Sequence, residues 1–146
     1  MKDKLEYNVE VRWDNQTGGE VDIGHFPILR LDMPVDFGGA GRYPCPDELF
    51  LSAVAACLLT TFLYFKKALK FHLEEYHVSA KQTIEKPGAD GYRITGIDAL
   101  ISVKVKTQER RKAEKCLELA KKYCHITRSL ETAIPIRIST QIQVQS

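Results

Sequence analysis

Residues 46–70 read PDELFLSAVAACLLTTFLYFKKALK. Pro46 suits a first helical turn, and Asp47 and Glu48 complement the positive end of a helix dipole. From Leu49 to Phe65 the only polar residues are Ser52, Thr60 and Thr61, and Lys66, Lys67 and Lys70 close the segment at its negative end. A helix apolar on every side is either buried at a protein's centre or crosses a membrane. The run is roughly 17 residues, short of the ~20 that a spanning helix needs. The reading is therefore a central core helix, with no membrane partner.

The flanking segments supply strands for that helix to cover. On the N-terminal side, Leu5, Tyr7, Val9, Val11 and Trp13 alternate with polar residues, which predicts a half-buried strand over 5–13. Thr17-Gly18-Gly19 turns the chain, and short strands follow near 20–24 and 27–32. Residues 33–46 hold Pro34, Gly38, Gly39, Gly41, Pro44 and Pro46, a density of breakers that makes a loop.

On the C-terminal side, 76–86 and 92–105 read as long strands joined by Pro87-Gly88-Ala89-Asp90-Gly91 as a hairpin loop. Thr107 can cap a second helix, whose apolar stripe is Ala113, Cys116 or Leu117, Ala120 and Tyr123 or Cys124. Its other faces are charged, so it lies on a surface. A helical turn near Thr127–Glu131 and a last strand through Ile134, Ile136, Ile138, Thr140, Ile142 and Val144 complete the chain. This order predicts a single α+β domain over 1–146, with helices against an antiparallel sheet.

Composition narrows the function. The 146 residues are 44% hydrophobic and 27% charged, as in a globular chain able to bury its own core. The net charge of +2 lacks the footprint of a dedicated nucleic-acid binder. The N-terminus MKDKLEYNVEV has no apolar h-region of a secretory signal. Together with Cys45, Cys57, Cys116 and Cys124, that points to a reducing cytoplasm. The cysteines contain no CxxC and fit no zinc template, and His25, His72 and His77 lack ligand spacing.

Cys57 lies in the middle of the apolar helix, in Ala55-Ala56-Cys57-Leu58. A buried cysteine is ordinarily a small core hydrophobe. Far from the helix ends it gains little from the dipole, and a reactive thiol there needs a nearby cation. Cys124 ends the second helix, before His125-Ile126-Thr127. It reads either as a boundary thiol or as a resolving thiol for a sulfenic acid on Cys57. Cys116 reads as core, and Cys45, between two prolines, has no inferred role.

Pro46-Asp47-Glu48-Leu49-Phe50-Leu51-Ser52-Ala53-Val54-Ala55-Ala56-Cys57 resembles the helix motif of the OsmC/Ohr family, the osmotically inducible and organic hydroperoxide resistance proteins. Pro34 and Phe37-Gly38-Gly39-Ala40-Gly41 resemble the loop before it. Cys124-His125-Ile126-Thr127-Arg128-Ser129-Leu130 is similar to the family's second motif, which usually has Pro after the Cys. The resemblance implies an antiparallel sheet wrapped around the buried helix in an intertwined homodimer. It also implies a thiol-dependent peroxidase for organic hydroperoxides, with Cys57 peroxidatic, Cys124 resolving, and a dithiol of the dihydrolipoyl type as reductant. No metal, haem or flavin is implied.

The family also uses an Arg held by a Glu. The Glu usually lies ten residues before the first Cys, where this chain has Asp47, with Glu48 beside it. Ten helical residues span about 15 Å, so Asp47 cannot serve Cys57 of its own helix but could serve that of an antiparallel partner. The helix dipole alone also explains both carboxylates. The family's Arg positions hold Glu20 and Asp36 here, which leaves Arg42 as first candidate, followed by Arg12 and Arg30. The missing match motivates an alternative, a small-molecule binding protein for an apolar or acyl ligand on the same fold. A third reading, a hotdog-type acyl-thioester hydrolase, lacks a carboxylate at mid-helix.

Overall fold

The computed structural model describes residues 2–146. It divides into two compact units, one ending at Phe50 and the other spanning Leu51–Ser146.

The first unit is a three-stranded antiparallel sheet in sequential order, formed by β1 (Glu10–Trp13), β2 (Gly18–Asp22) and β3 (Leu29–Asp32). The expected strand over 5–13 is shorter than its alternation suggests. Its apolar stripe is also uncovered rather than half-buried, with Tyr7 87% and Trp13 69% exposed. The pattern thus marks an apolar face without showing what covers it.

Polar contacts hold the first unit instead. The Arg42 guanidinium donates to Asp32 Oδ2 (2.8 Å) and to Asp14 Oδ2 (2.6 Å), and the Thr17 hydroxyl donates to Asp32 Oδ1 (2.6 Å). Asp32 is fully buried, which makes these partners obligatory. The breaker-rich segment is a loop with one 3-10 turn at Val35–Phe37, closed by Gly38 at φ 87°. Gly39 then passes so close to the Met33 carbonyl that a Cβ there would strike it.

The apolar segment forms α1 (Pro46–Leu69). The Cys45 N–H donates to the Glu48 carboxylate (3.1 Å), one half of a capping box. The helix ends at Lys70, whose backbone turns left-handed (φ 53°) as its N–H donates to the Lys66 carbonyl. Burial is confined to Val54, Cys57, Leu58 and Phe62, while Leu63 (43%) and Tyr64 (59%) are exposed. Burial on every side is therefore not met in a single chain: packing reaches one face only. By length and composition alone the helix could cross a membrane, but its buried face belongs to the core of this fold.

The second unit holds that core. β4 (Glu75–Glu85) and β5 (Arg93–Lys106) pair antiparallel around the expected hairpin, with a register shift at Thr83/Ile84. β6 (Ile136–Gln145) pairs with β5 in parallel, from Ile97↔Ile136 to Lys106↔Gln145. The sheet is thus mixed, which corrects the all-antiparallel expectation. The reason lies in the connection: α2 (Arg110–Tyr123) and α3 (His125–Leu130) return the chain to the start of β5, as a parallel crossover requires.

On β5, Ile97, Ala99, Ile101, Val103 and Val105 all point into the core, at the predicted period of two. Ala113, Cys116, Leu117 and Ala120 of α2 pack there with Leu58 and Phe62 of α1. Thr107 does not cap α2. It opens a 3-10 turn, Thr107–Glu109, and the helix begins at Arg110 without a side-chain cap.

Candidate active site

Two breaks in regular structure assemble the site. The chain leaves α2 at Cys124 in an extended conformation (φ −62°, ψ 106°) and re-enters helix at His125. The Thr127 hydroxyl and the Arg128 N–H both donate to the Cys124 carbonyl (3.1 and 3.0 Å), which fixes the start of α3. This one-residue kink carries residues 124–126 to the sulfur of Cys57, on the buried face of α1.

Cys57 is 6% exposed and Cys124 is fully buried, and both are free thiols. The Cys124 thiol lies close enough to act on the Cys57 thiol. The Cys57 sulfur lies 3.9 Å from Thr61 Oγ1 and 4.0 Å from His125 Nδ1, and the Ile126 N–H is near enough to act on it. Thr61 also donates to the Cys57 carbonyl (2.7 Å), an i−4 bond that anchors its hydroxyl beside the sulfur. Burial pushes the Cys57 thiol above its ordinary value; the Cys124 thiol pushes the same way, while the Ile126 N–H and the Thr61 hydroxyl pull it down.

Tyr76 of β4 stands behind this group. Its buried hydroxyl has no hydrogen-bond partner among the described residues, and burial raises its pKa, helped by Cys124 and Cys116. Cys116 is a core thiol: its S–H donates to the Phe62 carbonyl (3.2 Å), and burial pushes it up to about 12.

The structure thus brings Cys57 and Cys124 together within the second unit. Arg42, Asp47 and Glu48 belong to the first. Arg42 is bound by two carboxylates, so the cluster of one cation and two anions carries net negative charge. Its hydrogen bonds hold Asp32 and Asp14 below the usual carboxylate range. Asp47 and Glu48 occupy the first turn of α1. Cys45 is partly exposed.

Sequence reasoning missed Thr61 and His125 as neighbours of the thiol. Thr61 was open to inference, because i and i+4 share a helix face. His125 was visible only as the residue after Cys124, since its approach depends on the kink. Among the described residues no group of three or more His, Cys, Asp and Glu is placed to hold a metal. Two neighbouring thiols can instead give two hydrogens to an oxidant such as a peroxide and close a sulfur–sulfur bond.

A family model described as OsmC-like protein matches residues 38–139. No curated protein sequence matches significantly. Among solved structures, an OsmC-like protein from Mycoplasma pneumoniae shares 17% identity, covering 99% of this chain and 100% of its own, at a TM-score of 0.78. An organic hydroperoxide resistance protein from Elizabethkingia anophelis, with thiocyanate bound, shares 20% over 98% and 100% at 0.78. The organic hydroperoxide resistance protein OsmC from Legionella pneumophila shares 18% over 96% and 99% at 0.68. At these identities the likeness is one of fold.

Proposed function

The chain belongs to the OsmC-like protein family, and from that premise we propose that it is a thiol-dependent peroxidase that reduces organic hydroperoxides through Cys57 and Cys124, as part of oxidative-stress defence. The observation that carries the reading is the placement of two buried free thiols, from different elements and each in its own family motif, close enough for one to act on the other. Cys57 attacks the peroxide and becomes a sulfenic acid. Cys124 displaces water from it to form the disulfide, and a dithiol reductant of the lipoyl type restores both thiols. A reducing cytoplasm suits such a cycle.

The working form is a homodimer in this reading. Support comes from the uncovered apolar side chains on α1 (Leu63, Tyr64) and along residues 5–13, since contiguous exposed apolar surface marks interaction sites. Two α1 helices packed antiparallel at the centre of that dimer would be wrapped by both sheets. They would also offer Asp47 and Glu48 of each chain to its partner's thiol, about 15 Å along the helix.

The test is the intact mass of reduced protein before and after one equivalent of an organic hydroperoxide, without added thiol. Loss of two hydrogens, with Cys57 and Cys124 linked in the peptide map, supports the reading. Cys57→Ser should abolish turnover, and Cys124→Ser should stop at a single oxidation of Cys57. An unchanged mass in the parent protein, or full turnover in Cys57→Ser, rejects it.

A further inference from the structure

A buried thiol needs a partner that removes its proton before it can act as a nucleophile. Burial pushes the Cys57 thiol above its ordinary value, which favours the protonated sulfur. The neighbours able to accept that proton can be taken element by element. From α1 comes the Thr61 hydroxyl at 3.9 Å, which does not titrate. At the α2–α3 junction stand the Cys124 thiol, the Ile126 N–H (a donor only) and His125 Nδ1 at 4.0 Å. Behind them, Tyr76 of β4 and Cys116 of α2 are both raised by burial and so hold their protons, and Lys66 of α1 acts on Cys116.

Among the described residues, His125 alone joins a basic nitrogen near the sulfur to contact with solvent. Its side chain is exposed, whereas both thiols are buried. An imidazole with one edge toward a buried sulfur and the rest in water is built to relay a proton.

We propose that His125 is the general base and then the general acid of the Cys57 reaction, acting through Nδ1. The peroxide step rests on the peroxidase reading above; the activation of the thiol does not. Neutral imidazole, protonated on Nε2, takes the Cys57 proton at Nδ1 as the sulfur attacks the distal peroxide oxygen. The S–O bond forms and the O–O bond breaks. The leaving alkoxide takes the proton back from Nδ1 and departs as the alcohol. The sulfur is oxidised by two electrons to the sulfenic acid, and the hydroperoxide is reduced by the same two. Cys124 then attacks the sulfenic sulfur, and the hydroxide released leaves as water with the Cys124 proton.

The experiment measures Cys57 alkylation by iodoacetamide from acid to alkaline pH, read by peptide mass mapping, in the unmodified protein and in His125→Ala. The expected loss at neutral pH is about 100-fold, the lower end for a general base. The limb of the pH profile that the imidazole sets should vanish. Free imidazole should restore part of the rate, which a merely structural role would not allow. Coincident profiles overturn the proposal.

Because a variant can fail to fold, the His125 ring is also followed by NMR titration in the parent protein and in Cys57→Ser. Identical titrations overturn the proposal as well. The alkylation probe contains no peroxide, so the two readings fail separately. A lost limb without peroxide consumption keeps His125 and rejects the peroxidase. Equal peroxide turnover in His125→Ala and the parent keeps the peroxidase and rejects His125.

Discussion

Oxidation of the Cys57–Cys124 pair should make the protein markedly harder to unfold. The crosslink joins the middle of α1 to the α2–α3 kink and closes a loop of about 67 residues. For that length the chain-entropy model gives about 4 kcal/mol, because the unfolded chain loses the conformations in which those residues are apart. Strain in the closed bond subtracts from this, but the two thiols already lie close enough to act on one another in the reduced protein. At about 2–4 °C per kcal/mol for a chain of this size, the melting midpoint should rise by about 10–15 °C. The assay is thermal melting by circular dichroism of reduced and hydroperoxide-treated protein at one protein concentration, since association also shifts the midpoint. Cys124→Ser treated in the same way should show none of the gain. An oxidised protein with the mapped disulfide that melts at or below the reduced form would refute the reasoning, because closing the bond would then strain the fold by more than the entropy gained.

Other measurements probe the rest of the architecture. Phe62 is fully buried, with its ring 5.0 Å from Tyr76 and 6.1 Å from Phe71; Phe62→Ala should cost about 3–5 kcal/mol in urea unfolding, and a loss below about 1 kcal/mol would contradict its place in the core. Asp32 is held low first by its hydrogen bond to Arg42 and then by Thr17 and by backbone N–H groups, against burial. Its stabilisation is therefore complete above the unfolded carboxyl value of 3.8 and disappears as pH falls through the lower native value. Asp32→Asn should flatten the acid limb of stability below pH 3.8, and equal slopes in parent and variant would show that the Arg42 pairing does not set it. Trp13→Glu puts a charge into the uncovered apolar stripe; if that stripe is a dimer face, sedimentation should show dissociation, whereas an unchanged dimer would move the interface elsewhere.

Much of the fold was legible because it is written in local periodicity. β5 alternates through Ile97, Ala99, Ile101, Val103 and Val105, and a strand buries that set whatever it pairs with. The stripe of α2 was readable in the same way from spacings of three and four. The apolar run of α1 was also plain, but its burial was not. Hydrophobicity states that a face must be covered, and in one chain only the face of Val54, Cys57, Leu58 and Phe62 is. The stripe over 5–13 misled for the same reason: alternation predicts a face, not its cover.

The candidate site divides along the same line. Each cysteine could be singled out from its own surroundings, one at mid-helix and one at a helix end. Their proximity in the fold could not, because it depends on residues far apart in the chain. Arg42 sits beside the start of α1, yet Asp14 and Asp32, distant in sequence, claim its guanidinium. Taken alone, the sequence established the elements, their order, their apolar faces and the cysteines worth testing. These follow from interactions within a few residues, where backbone geometry sets the period. Tertiary structure alone decided the parallel pairing of β5 with β6, the clamp on Arg42 and the approach of His125 to the Cys57 sulfur. Those depend on how a crossover returns and how a single extended residue at Cys124 redirects the chain, and packing between distant segments selects both.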